Sequence, residues 1–130
     1  MTFVRKLAAD RAGSSAIEFA IAVPVLVSFI WGIFQVGILY RANAGMQHAL
    51  GEAARFTTIF PTPSDSEIQT KITSGKFGLD GGTWSTPTIT TDTTAQTKLI
   101  SVTYSQPTDF LFFPGPTVTL TRSKLVYLST

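Results

Sequence analysis

The chain has 130 residues, with ten basic and eight acidic side chains, one histidine and no cysteine. This length fits one small domain together with a membrane anchor. The lack of cysteine excludes disulfides, thiolate catalysis and cysteine-based metal sites. Three of the basic residues and one of the acidic residues precede Ser14, which leaves seven of each in the remainder. Because no basic stripe follows, we expect no nucleic-acid partner.

Residues 1–13 form a short basic segment that is too short to fold and has the character of a leader peptide. An uncharged apolar run of 22 positions follows at residues 19–40, in which only Ser28 and Gln35 are distinctly polar. A membrane-spanning helix needs about 20 residues, so the run predicts a transmembrane helix within residues 14–40. The basic residues at its N-terminal end place that end in the cytoplasm and residues from 42 onward outside.

The run begins with the sequence GSSAIEF at residues 13–19, in which glutamate stands five residues after glycine. A carboxylate just inside an apolar helix is costly, so Glu18 either marks the membrane boundary or has a partner. The placing of Gly13, Ser14, Glu18 and Phe19 resembles the TadE-like pseudopilins, or minor pilins, of the Flp (tight adherence, Tad) pilus system. The segments AIAVPVL (residues 20–26) and GIFQVG (residues 32–37) extend the resemblance.

The resemblance implies how this chain would be processed and used. Prepilin peptidase would cut between Gly13 and Ser14, and Glu18 and Phe19 would serve recognition and assembly. The new ammonium group of Ser14 would pair with the Glu18 carboxylate, often that of a neighbouring subunit. The implied partners are prepilin peptidase, other Flp/Tad pilins and pseudopilins, an inner-membrane assembly platform and membrane lipid. Phenylalanine after the glutamate and the long C-terminal region favour a TadE-like protein over the major Flp pilin.

Two other interpretations compete with this one. In the first, the apolar run is a secretory signal peptide, because residues 42–44 have the small-x-small form that signal peptidase prefers. Against it, the apolar regions of signal peptides run about 7–15 residues, and Arg41 directly precedes the site. Alternatively, the chain is an uncleaved, single-pass, membrane-anchored binding module outside the cytoplasm. Such a module needs neither Gly13 nor the position of Glu18, so processing distinguishes the two.

The helix is expected to continue beyond the membrane to about Thr57, because no proline occurs after Pro24 until Pro61. A helix over residues 14–57 is about 65 Å long. Its projecting half carries an apolar face at helical spacing, made by Met46, Leu50, Ala53 and Thr57. Small residues at Gly45, Ala49 and Ala53 allow another backbone to approach closely, either the chain's own sheet or a helix of another subunit.

A small domain is predicted after the helix. Pro61 and Pro63 end the long helix, and Ser64 with Glu67 has capping-box spacing for a short helix over residues 65–76. Strands are predicted at residues 84–91, 98–104 and 117–128. In the last strand either Val126 and Leu128 or Leu125 and Tyr127 face the core, and a bulge near residues 122–124 would reconcile the pattern. The expected fold class is α+β and pilin-like, a long N-terminal helix packed on an antiparallel sheet of about three strands.

The connection between the last two strands has the unusual sequence FLFFPGP at residues 110–116. It is either a loop folded over the end of the core or an exposed apolar patch for a partner or the membrane surface.

Nothing in the chain has the pattern of a catalytic or cofactor site. The single histidine, His48, lies on the projecting helix, and Asp80, Asp92 and Asp109 lack calcium-loop spacing. We therefore expect no enzyme activity, no cofactor and no metal. The expected divisions are a leader (1–13), a transmembrane helix (14–40) and an extracytoplasmic part (41–130) of a bacterial inner-membrane protein.

Overall fold

The computed structural model describes residues 11–59, 61–79 and 81–128. The elements are helices α1 (Arg11–Thr57) and α2 (Asp65–Gly75), followed by strands β1 (Thr83–Trp84), β2 (Thr88–Asp92), β3 (Thr97–Phe110) and β4 (Phe113–Tyr127). One long helix thus packs on a small antiparallel sheet, which confirms the predicted α+β fold class. Most of the predicted leader, residues 1–10, and Asp80 lie outside the described residues.

Helix α1 is continuous for 47 residues, about 70 Å at about 1.5 Å per residue. Pro24 lies inside it and donates no hydrogen bond to the preceding turn, yet the helix is not interrupted. The Ser28 hydroxyl donates to the Pro24 carbonyl oxygen at 2.8 Å. This bond within the helix satisfies the hydroxyl, one of the few polar groups of the apolar run.

The two halves of α1 have opposite environments. The most apolar 18-residue window within Ser14–Thr57 has a mean hydropathy of 2.2, and none of it is buried. The projecting half, by contrast, packs its apolar face into the domain, since Met46, Leu50, Ala53 and Thr57 are all buried. The predicted amphipathic face is confirmed. By length and composition, α1 is a helix that can span a membrane once.

Helix α2 begins with the predicted capping box. The Ser64 hydroxyl accepts from the Glu67 backbone N–H, and the Ser64 N–H donates to the Glu67 carboxylate at 2.8 Å. Ile68 and Ile72 are fully buried, as the spacing predicts. Lys98 on β3 reaches the Asp65 carboxylate at 2.5 Å, which ties the start of α2 to the sheet.

The sheet has β3 at its centre, β4 on one edge, and β1 and β2 one after the other on the opposite edge. It has four strands rather than about three, because the predicted strand at residues 84–91 breaks into β1 and β2 around Pro87. Proline cannot donate to a ladder, which accounts for the break. Ile100, Val102 and Tyr104 are fully buried against α1 and α2, as their alternation predicts.

The register of β4 settles which of its side chains face the core. Pairing with β3 is regular from Thr97↔Tyr127 to Pro107↔Thr117, so the bulge expected near residues 122–124 is wrong. The irregularity falls between Pro107 and Asp109 instead, where a proline interrupts the donors of β3. Val126 is buried and Tyr127 exposed. Arg122 therefore faces α1, where its Nε donates to Asn43 Oδ1 at 2.7 Å.

Strands β3 and β4 form a hairpin much longer than predicted. Residues 110–113 are not a loop over the core: Phe110 and Phe113 are the last pair of the ladder, and Leu111 and Phe112 are the turn. The rings of Phe110 and Phe113 stack with centroids 5.1 Å apart. The hairpin thus ends in an apolar tip that lies away from the buried core.

Candidate membrane and assembly surface

The residues predicted to serve processing and assembly lie at the N-terminal end of α1, where Ser14, Glu18 and Phe19 are exposed. The Ser14 hydroxyl donates to a Glu18 carboxylate oxygen at 3.3 Å, one helical turn away. Phe19 projects from the helix and is 70% exposed. In this chain the first residue after the predicted cut and the acidic residue therefore lie within hydrogen-bonding distance on one helix face. Lipid or other chains would have to cover the apolar side chains that follow.

The other side chains of the predicted span are also mostly uncovered by the rest of the chain. Among the described side chains of residues 14–40, Gln35 is classed as buried, and the others are exposed or partly covered. A soluble domain of this size rarely leaves an apolar helix surface of this extent uncovered. The pattern is consistent with a single membrane-spanning helix.

Two hydrogen bonds attach the hairpin to the part of α1 within the predicted span. The backbone carbonyl oxygen of Asp109 accepts two hydrogen bonds, from Trp31 Nε1 at 2.6 Å and from Gln35 Nε2 at 2.9 Å. The bonds join residues 78 and 74 positions apart in the sequence. They explain why one glutamine stands in the apolar run: a buried amide needs a partner, and this one has it. The sequence shows that Gln35 is a polar residue in an apolar run, but it does not show which group Gln35 binds.

Between the hairpin and α1 lies an open, mostly apolar groove of about 660 Å³. On the helix side it is lined by Ser28, Phe29, Gly32, Ile33, Gln35, Val36 and Leu39, and on the hairpin side by Thr108, Phe110, Pro116 and Val118. Close packing shapes the neck of the hairpin: a Cβ at Gly115 would stand 2.5 Å from Thr108 Oγ1 and 2.8 Å from the Phe110 ring. The Thr108 hydroxyl also donates to the Pro116 carbonyl oxygen at 2.6 Å.

The small residues of the projecting half face the chain's own domain. Gly45, Ala49 and Ala53 are all buried. A Cβ at Gly45 would overlap the carbonyl oxygen of Phe77, just after α2, and Gly75 lies against Ala49. Within this chain Gly45 and Ala49 thus admit the segment after α2 and the C-terminal end of α2. Packing between subunits through the same residues stays a prediction.

The remaining sequence candidates lie apart from one another. His48 is exposed and its ring lies 5.5 Å from that of Phe77. Asp92 accepts from the backbone of Thr94 and Ala95 in the β2–β3 turn, a structural role. No group of three or more His, Cys, Asp or Glu side chains within residues 11–59, 61–79 and 81–128 is placed to hold a metal ion.

Comparison with known proteins identifies the N-terminal part of the chain. Residues 13–55, about a third of the sequence, match the family model described as TadE-like protein. The match begins at Gly13, contains Glu18 and Phe19, and ends close to the C-terminus of α1. The resemblance stated from the residues is therefore confirmed for this segment. No curated protein and no solved structure matches the chain.

Proposed function

We propose that this chain is a pilin-like subunit that prepilin peptidase processes and that helps to assemble a Flp/Tad-type adhesive pilus. The TadE-like segment supports a protein associated with the Tad pilus. Its function would come from assembly and not from catalysis. The observation that carries the proposal is the position of the family match, which covers the glycine, the glutamate and the apolar helix together.

The proposed location is the bacterial inner membrane. The N-terminus is cytoplasmic because Arg5, Lys6 and Arg11 precede the span. The domain built from the projecting half of α1, α2 and the sheet would then lie outside the cytoplasm. Prepilin peptidase, other pilins and pseudopilins, the assembly platform and membrane lipid are the proposed partners.

Glu18 has the central part in this mechanism. Cleavage after Gly13 would leave an ammonium group at Ser14, whose side chain already reaches Glu18. In a medium of low dielectric constant, an ammonium–carboxylate pair offsets much of the cost of burying each charge. Pairing between subunits would fix the axial position of one helix against the next, since an unpaired Glu18 in the apolar layer is unfavourable.

The test is pilus formation in cells whose only copy of the gene carries Glu18→Ala. We expect the variant to be inserted and cleaved as the unmodified protein is, and pilus assembly to be lost or strongly reduced. The control is Ile17→Val, a conservative change at an exposed position in the same turn, which should leave piliation unaltered. Normal pili with Glu18→Ala would show that the carboxylate does not set the register.

A further inference from the structure

The tip of the β3–β4 hairpin lies beside the part of α1 that is apolar enough to cross a membrane. Arg122 contacts α1 at Asn43, and the Asp109 carbonyl contacts it at Gln35 and Trp31. Since Arg122 pairs with Val102, β3 runs toward the N-terminus of α1 as it goes from Val102 to Asp109. The turn continues in this direction, and Phe110 lines the groove together with Ser28 and Phe29.

The length of the candidate span would place this tip within the bilayer. A helix crosses the hydrocarbon core with about 20 residues. Counted from Ser14, the first residue of the predicted span, about 20 residues end near Ile33, between the two side chains that hold the Asp109 carbonyl. Counting from Glu18 moves the boundary farther along the helix and the tip deeper. A span that stopped before the tip, near Ser28, would be about 22 Å long, too short for a core of about 30 Å.

The composition of the tip suits hydrocarbon. Leu111, Phe112 and Phe113 are 49%, 65% and 60% exposed and form an apolar cluster that the described residues leave about half uncovered. Within residues 105–119 the one charged side chain is that of Asp109, which the count from Ser14 would place where the hydrocarbon ends. Trp31 lies at the same level, and tryptophan favours the interface between hydrocarbon and headgroups. Pro114 and Pro116 remove two backbone donors from β4, which lowers the cost of burying this strand near lipid.

We propose that residues 110–113 insert into the outer leaflet beside α1, and that lipid acyl chains fill the groove between hairpin and helix. The domain would then be held to the membrane at two points, the span and the hairpin tip. This fixes the tilt and rotation of the domain on the bilayer while the protein is in the membrane. The inference rests on the proposed single-pass anchoring and is independent of cleavage at Gly13.

The chain contains no native cysteine, so single cysteines can carry an environment-sensitive fluorophore in the full-length protein. We would label Phe112→Cys in nanodiscs of phosphatidylethanolamine and phosphatidylglycerol, with one protein per disc. Leu111→Cys gives a second position in the tip. Ile21→Cys reports the span, and Ser123→Cys reports an exposed position of β4 far from the tip. Quenching by nitroxide groups on the lipid chains and by aqueous iodide is then measured at each site.

The expected result is that both tip labels behave like Ile21→Cys, with blue-shifted emission, quenching by lipid nitroxides and loss of iodide quenching. Ser123→Cys should show the reverse. Iodide quenching at the tip equal to that at Ser123→Cys, with Ile21→Cys still lipid-quenched, would overturn the hairpin insertion alone. A tip shielded from iodide only when several copies share a disc would assign the patch to a second copy of the chain. Absence of lipid quenching at Ile21→Cys would contradict the anchoring itself.

Discussion

Gly45 and Gly51 lie on the same half of α1, yet replacing each by alanine should change stability in opposite directions. A Cβ at Gly45 would overlap the carbonyl oxygen of Phe77 and lie 3.0 Å from its carbonyl carbon, whereas a Cβ at Gly51 meets nothing within 4 Å. Because the obstacle at Gly45 is backbone, the segment after α2 must move to admit the methyl group. The two positions therefore separate close packing from helix propensity.

The magnitudes decide the sign at each position. Alanine in place of glycine inside a helix stabilises by about 0.5–1 kcal/mol. Overpacking costs about 1–3 kcal/mol, and a forced backbone shift lies at the upper end of that range. Gly45→Ala should thus lose roughly 2 kcal/mol in the free energy of unfolding, while Gly51→Ala should gain about 0.5–1 kcal/mol. In a domain of this size each kcal/mol moves the Tm by about 4–8 °C.

The assay is thermal unfolding of the full chain in detergent micelles, followed by near-UV circular dichroism, which reports tertiary packing. We expect the Tm of Gly45→Ala to fall by roughly 10 °C and that of Gly51→Ala to rise by a few degrees. A Tm for Gly45→Ala equal to or above that of Gly51→Ala would refute the close approach of the Phe77 backbone to α1.

Two further predictions concern the capping box and the attachment of the hairpin. Hydrogen bonds from the Ser64 hydroxyl and backbone lower the pKa of Glu67 below its ordinary value of 4.5. Because the pKa is lower in the folded state, this stabilisation is present above pH 4.5. It is lost as the pH falls through the lowered pKa. Ser64→Ala should therefore lower the Tm at pH 7, with a deficit that shrinks in acid, and a deficit independent of pH would exclude this linkage. Trp31→Phe and Gln35→Met together remove both donors to the Asp109 carbonyl and should loosen the hairpin from α1. Each net hydrogen bond lost costs about 0.5–1.5 kcal/mol. Amide hydrogen exchange at residues 105–113 should rise in this double variant and not in Ser28→Ala, whose hydroxyl bonds only within α1; unchanged exchange would show that the hairpin is held by other contacts.

The long helix and the capping box could be predicted from the sequence because both depend on neighbouring residues. An uncharged run without helix-ending prolines defines α1, and Ser64 with Glu67 defines the start of α2. The alternation in residues 98–104 likewise depends only on which residues face a core. These features need no knowledge of what the segment packs against.

The hairpin and its attachment could not be predicted, because they depend on contacts between distant residues. The FLFFPGP segment has the prolines of a loop, and proline is disfavoured inside a sheet. It continues the ladder here because β4 is an edge strand, where a missing donor costs little. The orientation of Arg122 likewise depends on Asn43 in α1, 79 positions away.

The role of the small residues in α1 was ambiguous for the same reason. Spacing by four shows that a backbone can approach Gly45, Ala49 and Ala53, but not which one. In the fold the segment after α2 lies against Gly45, and the C-terminal end of α2 lies against Ala49. Small side chains in a sequence indicate that another segment can pack closely, but they do not show which segment it is.

The measurement that tests the account most directly is the intact mass and N-terminal sequence of the protein purified from native membranes, in cells with and without prepilin peptidase. The account predicts a chain that begins at Ser14 in the first cells and retains its leader in the second. A chain beginning at Met1 in both would contradict it and leave an uncleaved anchored module. A chain beginning at Gly45 would instead show release by signal peptidase and loss of the span.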